Sequence, residues 1–224
     1  SITQEWDWCS GYHDSENSVI GFSHTHLSGT GCGDLFDVTL MPVTGEVEYG
    51  RGRLGDYTTG FWSEADRSQE VVEPGYYAVP LTRYNILAEM TATERGGLHR
   101  YTFPASDEAA IILDLVHGGC FDRPEDLFAE AVSDTRVVGR RHSWGWSNNQ
   151  KVYFVIEFSK PFEKFEPIGE YGFYYRIHFK TEEGEQIGVK VALSSTSPEG
   201  AELNYNAEVA EKDFDTVRKE TLAK

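Results

Sequence analysis

Tyr171-Gly172-Phe173-Tyr174-Tyr175-Arg176-Ile177-His178-Phe179 is followed by Glu182-Glu183-Gly184 and then by Ile187-Gly188-Val189-Lys190-Val191-Ala192-Leu193. Two runs rich in β-branched and aromatic residues thus flank a short turn carrying Gly. In the second run the apolar residues at 187, 189, 191 and 193 recur every second position, the period of a strand with one buried face. The same signature extends toward the N-terminus. It recurs at Val19–Phe22, Phe36–Met41, Tyr76–Val79, Ile86–Ala92, Leu98–Phe103, Ala109–Leu115 and Val152–Phe158. Turn formers such as Gly96-Gly97 and Pro198-Glu199-Gly200 punctuate these runs. Many short strands with little helix predict an all-β domain, most simply an antiparallel β-sandwich of two packed sheets.

Two stretches read differently. Residues 124–132 (Pro-Glu-Asp-Leu-Phe-Ala-Glu-Ala-Val) predict a short helical turn, with Pro124 tolerated near its start. The tail predicts a helix capped by Asp213 or Asp215, with Phe214, Val217, Thr221 and Leu222 on one side. It closes on Leu222-Ala223-Lys224 without a turn signal, as a helix interrupted partway would. No internal repeat or Pro/Ser-rich linker divides the chain. The expected organisation is one domain over residues 1–205 and a linker helix over residues 206–224.

Charge narrows the partners. The 37 acidic residues outweigh 20 Lys plus Arg, giving a net charge of -17. Polyanions are repelled and no basic stripe opposes this, so nucleic acid and anionic membrane surfaces are poor partners while neutral ligands, sugars among them, stay open. No apolar run approaches the ~20 residues that cross a bilayer, so no membrane insertion is expected. Cys9, Cys32 and Cys120 cannot all pair within the chain. A Cys9–Cys32 disulfide and free, partly buried thiols are both open readings.

The chemically densest stretch runs from Trp6 to Asp37. It gathers Trp6, Trp8, Cys9, Tyr12, His13, His24 and His26, then Ser28-Gly29-Thr30-Gly31-Cys32-Gly33-Asp34. Sugar recognition uses flat aromatic faces against ring C–H groups and short polar groups against hydroxyls, and this stretch supplies both. Gly residues after a strand let backbone approach a ligand closely. Each feature also has a plain structural reading. Trp6 and Trp8 share one face of an extended segment, as a pair of core residues would. His24 and His26 resemble an H-x-H metal pair but lack evident third and fourth ligands, and structural histidines bonded to loop backbone are the better reading. The Ser28–Gly31 run has neither the Lys nor the helix of a phosphate loop. A second cluster, Gly139-Arg140-Arg141-His142-Ser143-Trp144-Gly145-Trp146-Ser147-Asn148-Asn149-Gln150, reads either as a carbohydrate surface or as a strand with buried tryptophans and an Asn-rich turn.

Trp8-Cys9-Ser10-Gly11-Tyr12-His13, followed by Ile20-Gly21-Phe22-Ser23-His24-Thr25-His26-Leu27-Ser28-Gly29-Thr30-Gly31, closely resembles glycoside hydrolase family 92. The resemblance continues through Pro74–Tyr77, Glu89–Thr93, His99–Pro104, Ile111–Leu115 and Phe158–Phe162, and so covers nearly the whole chain. It implies an N-terminal β-sandwich of the supersandwich type, whose partner is a C-terminal (α/α)6 catalytic domain of the same protein. It also implies a calcium-dependent, inverting, exo-acting α-mannosidase acting on mannose-containing glycans, and a periplasmic, secreted or cell-surface location. Inversion calls for an acid and a base roughly 6.5–9.5 Å apart. The resemblance places both carboxylates, and most calcium ligands, in the helical domain, so no catalytic residue and no metal ligand is expected in this chain.

What the chain contributes by this resemblance is the active-site rim and the subsite of the leaving-group sugar. The residues implied in substrate binding are Trp6, Trp8, Cys9, Tyr12, His24, His26, Ser28, Gly29 and Cys32. A self-sufficient carbohydrate-binding module using Trp6, Trp8, Trp144 and Trp146 is the alternative. Two departures from the family stand out. The Gly/Pro-rich segment that usually precedes Trp6 is absent, so an early strand is expected to be missing. Leu35-Phe36-Asp37 also carries Phe where the family usually has Gly.

Overall fold

The structure is a computed structural model that describes residues 12–13, 16–26, 35–119, 122–145, 147–169 and 172–224. Its strands are β1 (Ser18–Val19), β2 (Thr39–Thr44), β3 (Ser63–Glu64), β4 (Val71–Glu73), β5 (Tyr76–Leu81), β6 (Ile86–Ala92) and β7 (Gly96–Phe103). They continue as β8 (Ser106–Asp114), β9 (Arg123–Ala131), β10 (Arg136–Trp144), β11 (Gln150–Phe158), β12 (Lys164–Ile168), β13 (Tyr174–Thr181) and β14 (Glu185–Ser194). Two helices, α1 (Pro198–Glu208) and α2 (Phe214–Leu222), follow. An eight-stranded sheet in the order β4-β5-β6-β7-β14-β11-β10-β9 faces a four-stranded sheet in the order β12-β13-β8-β2, and β1 pairs with β3. Strand pairs are antiparallel throughout, so the expected β-sandwich is what the chain forms.

Alternation along single strands builds two cores. Ile187, Val189 and Val191 of β14 join Tyr101, Phe103, Phe154, Ile156, Ile111 and Ile177 between the sheets. Leu98, Val155 and Ala192 point to the other face of the large sheet, where Ala201, Tyr205 and Val209 of the first helical segment and Val217 of α2 cover them. The helices therefore belong to the packing of the large sheet. Asp213 caps α2 by accepting from the Thr216 N–H at 2.7 Å, as the sequence predicts.

Local expectations are overturned at residues 124–132, at Pro198-Glu199-Gly200 and at Gly96-Gly97, the last being no turn but the start of β7, paired with Ala192 and Val191 of β14. Residues 124–132 are not helical: Arg123–Ala131 forms β9, the edge of the large sheet, paired with β10. Pairing outweighs the helix preference of Glu, Leu and Ala here, and an edge strand tolerates Pro124. Pro198-Glu199-Gly200 is not a turn but the first turn of α1, with Ser197 as cap accepting from Gly200 at 3.1 Å and Pro at the start of the helix. Of the two readings of the Gly139–Gln150 cluster, the buried one does not hold for Trp144, which ends β10 half in solvent, beneath the Arg123 guanidinium. Trp146 lies outside the described residues.

Phe36 stands in an unusual backbone conformation. It has φ +58°, and Leu35 and Val38 also lie in the left-handed region that suits Gly. Phe36 is held there by full burial against Ile20 and Trp62.

Candidate functional site

The segment after β1 runs antiparallel to the start of β2, with Phe22 N–H bonded to Leu40 O at 2.9 Å and His24 N–H to Asp37 O at 3.1 Å. This puts Phe22–His26 along one wall of a cleft of about 980 Å³. Tyr76, Tyr77, Met90, His99 and Gln150 line it further, and Leu193–Thr196 and Leu203 approach from the helical side. Its walls are mostly aromatic, aliphatic and hydroxyl groups, with Glu73, Glu94 and Arg95 as the charged exceptions, a composition that suits a largely neutral ligand.

His24 is the pivot. Its Nδ1 donates to Val38 O at 2.5 Å, and its Nε2 lies 2.9 Å from His99 Nε2. His99 Nδ1 lies in turn 2.6 Å from the Tyr101 hydroxyl. A carbonyl only accepts, so Nδ1 of His24 carries the proton and Nε2 is the acceptor in the neutral ring. His99 must then donate from Nε2 and accept at Nδ1 from Tyr101. Burial favours this neutral chain: it holds His24 down to about 4 and His99 well below the usual histidine value, and pushes Tyr101 well above the usual phenol value. The two imidazoles stack with centroids 4.8 Å apart. Gly97 permits the approach, since a Cβ there would sit 3.0 Å from His24 Cδ2.

A buried ion cluster fixes the same segment from behind. Arg141 is fully buried and donates to Asp37 Oδ1 at 2.6 Å, to Leu115 O at 2.9 Å, and to Asp122. Asp37 Oδ2 accepts from Thr25 Oγ1 at 2.8 Å and from Gln150 Nε2 at 3.1 Å. Burial works against the Arg141 charge, but its bonds to Asp122 and Asp37 win and raise its pKa. A charge with this many partners is a rigid anchor.

The expected site residues are placed unevenly. His24 and His26 share the cleft wall. His26 is exposed, pairs with Ser23 Oγ at 2.9 Å, and rests on Phe36. Tyr12 sits beside the cleft residue Tyr77, edge-on at 6.4 Å, with its hydroxyl 3.2 Å from Glu70. Trp6, Trp8, Cys9, Ser28, Gly29 and Cys32 lie outside the described residues, as do Cys120 and hence the question of Cys9 pairing. His99 and Tyr101 are site groups that the sequence does not single out, while Asp37 and Arg141 fall within the two clusters it marks, without any sign of the contact between them. Alternation of His99 with Tyr101 on one strand was the available signal for the first two.

Calcium takes about six to eight oxygen ligands. Among the described residues no group of three or more His, Cys, Asp or Glu side chains is arranged for a metal ion. Asp37, the buried carboxylate behind the cleft wall, is already engaged by Arg141, Thr25 and Gln150. The described residues do not fit a calcium site. No helix among them is long and apolar enough to cross a membrane.

Comparison with known proteins bears on this geometry. The profile of the Glycosyl hydrolase family 92 N-terminal domain matches residues 1–194. A family GH92 α-mannosidase from Bacteroides thetaiotaomicron superposes with a TM-score of 0.91 at 31% identity, over 100% of this chain and 33% of that one. A GH92 inverting mannosidase from B. thetaiotaomicron VPI-5482 shares the fold, with a TM-score of 0.73 at 21% identity over 94% of this chain and 29% of its own. An uncharacterized secreted glycosidase of Arthroderma benhamiae is 32% identical over 101 residues, which are 42% of this chain and 12% of that protein. The chain spans about a third of the length of the solved relatives. With the family profile covering residues 1–194 and the whole chain superposing on a solved member at a TM-score of 0.91, the chain belongs to glycoside hydrolase family 92, as its N-terminal domain.

Proposed function

We propose that this domain serves an exo-acting, inverting α-mannosidase on mannose-containing glycans, lending the active-site rim and the subsite of the leaving-group sugar to a C-terminal (α/α)6 catalytic domain. The observation that carries the reading is the cleft wall Phe22–His26, whose His24 ring is held by His99 and whose Thr25 hydroxyl is held by Asp37, itself paired with Arg141. A rim must hold substrate-facing groups in place before sugar arrives, and rigid supports do that. His24 has both ring nitrogens engaged, so its part is to position Ser23, Thr25 and His26. Trp6, Trp8, Cys9, Tyr12, His26, Ser28, Gly29 and Cys32 complete the proposed sugar-facing set. The relative from B. thetaiotaomicron that has been solved with mannoimidazole supports a mannose-type substrate. The general acid, the general base and the calcium ligands are proposed to lie in the helical domain, and secretion is proposed from the secreted A. benhamiae relative.

The test uses the full-length polypeptide acting on α-1,2-mannobiose. A rim role predicts that Trp6→Ala and His24→Ala each raise KM about fivefold or more while kcat changes little, the pattern of lost substrate binding. Unchanged KM in both variants rules the rim role out.

A further inference from the structure

A second group of side chains meets where β8 ends and β13 begins, at the paired residues Asp114 and Tyr174. An aromatic ladder rises there from the core. Fully buried Phe61 meets Tyr174 edge-on at 6.0 Å, and Tyr174 stacks at 6.3 Å on Tyr49, which leaves 44% of its surface in solvent. Beside it, His117 Nδ1 lies 2.8 Å from Asp114 Oδ2, and the other oxygen of Asp114 accepts the Val116 and His117 N–H groups at 2.8 and 3.0 Å. Asp114 is buried, and burial alone would raise its pKa, but His117 and these N–H groups lower it. An ionised Asp114 keeps the His117 proton on Nδ1, so Nε2 is presented as a hydrogen-bonding atom with no partner among the described residues. The loop carrying Tyr49 is held to this place. Arg51 Nη2 donates to Gly118 O at 2.8 Å, and a Cβ at Gly50 would lie 3.7 Å from the Tyr174 hydroxyl and 4.0 Å from His117 Cε1.

An exposed aromatic face on a rigid base, next to one oriented polar atom, matches what a pyranose offers: a C–H face and directional hydroxyls. We infer that Tyr49 and His117 form a subsite for one neutral hexopyranose unit, Tyr49 stacking on its C–H face and His117 Nε2 bonding a hydroxyl. The net charge of -17 favours a neutral sugar over an acidic one. The choice of mannose among neutral hexoses rests on the proposed function.

The test is saturation-transfer NMR and calorimetric titration of the 224-residue chain with methyl α-D-mannopyranoside and, separately, methyl α-D-galactopyranoside. Saturable mannoside binding is expected, weakened about tenfold in Tyr49→Ala and in His117→Phe and retained in Tyr49→Phe. Thermal unfolding of each variant shows that the fold is kept, and Tyr49→Phe against Tyr49→Ala isolates the ring itself. Galactoside binding with the same dependence on Tyr49 upholds the subsite and counts against the mannose reading alone. Absence of binding to either sugar, or binding that Tyr49→Ala leaves unchanged, overturns the subsite.

Discussion

The Nε2 atoms of His24 and His99 lie 2.9 Å apart, and the proton between them ties the cleft wall to the interior of the eight-stranded sheet. The tie depends on both rings staying neutral, because a proton added to His24 Nε2 would face the N–H of His99. Acid is therefore its natural antagonist.

Stability should fall on mild acidification. Unfolded histidine titrates near 6.5 whereas folded His24 is held at about 4, so between these values the unfolded state binds more protons and stability rises with pH. The contribution is complete above about 6.5, and its loss on going below 4 amounts to at most roughly 3 kcal/mol. His99 acts in the same direction. Urea midpoints at pH 7 and pH 5 should differ in the wild type, and the difference should shrink in a His24→Asn, His99→Gln double variant.

Arg141 should be among the most sensitive positions in the fold. Arg141→Leu leaves Asp37 and Asp122 without their cation, and stranding a buried charge costs roughly 3–5 kcal/mol. Adding Asp37→Asn to this variant should recover part of the loss. Equilibrium urea unfolding measures both, and a variant as stable as wild type would show that the cluster anchors nothing.

Phe36→Gly sets two effects against each other. Relief of a left-handed backbone is worth roughly 1–2 kcal/mol. Removing a fully buried phenylalanine costs about 3–5 kcal/mol, and Phe36 is fully buried. Packing wins, so the substitution should destabilise by roughly 2 kcal/mol, read as a lower thermal midpoint.

Gly75→Ala should unseat α2. Gly75 has φ +74°, and a Cβ there would come within 2.6 Å of Thr221 Cγ2. Strain and collision add, and hydrogen exchange should show faster exchange in Phe214–Leu222 while β11 stays protected.

Much of the sandwich was legible because its strands obey a period of two. Ile86–Ala92 forms a strand with the boundaries the sequence suggests, and the 187–193 run sits inside β14. β9 was not legible, since Glu-Asp-Leu-Phe-Ala-Glu-Ala has helical preferences and only its edge pairing makes it a strand. The cleft was legible in part. His24 and His26 stood out as unusual residues, whereas Arg141 lay in the Gly139–Gln150 cluster, which reads either as a carbohydrate surface or as a strand with buried tryptophans. Its role depends on meeting Asp37, 104 residues away, and no local pattern announces such a pair.

The most direct test of the central claim is ¹H NMR of α-1,2-mannobiose incubated with calcium and either the 224-residue chain or the full-length polypeptide. No mannose release is expected from the chain alone, and β-mannose is expected as the first product of the full-length protein. Hydrolysis by the chain alone, or α-mannose as the first product of the full-length protein, would contradict that claim.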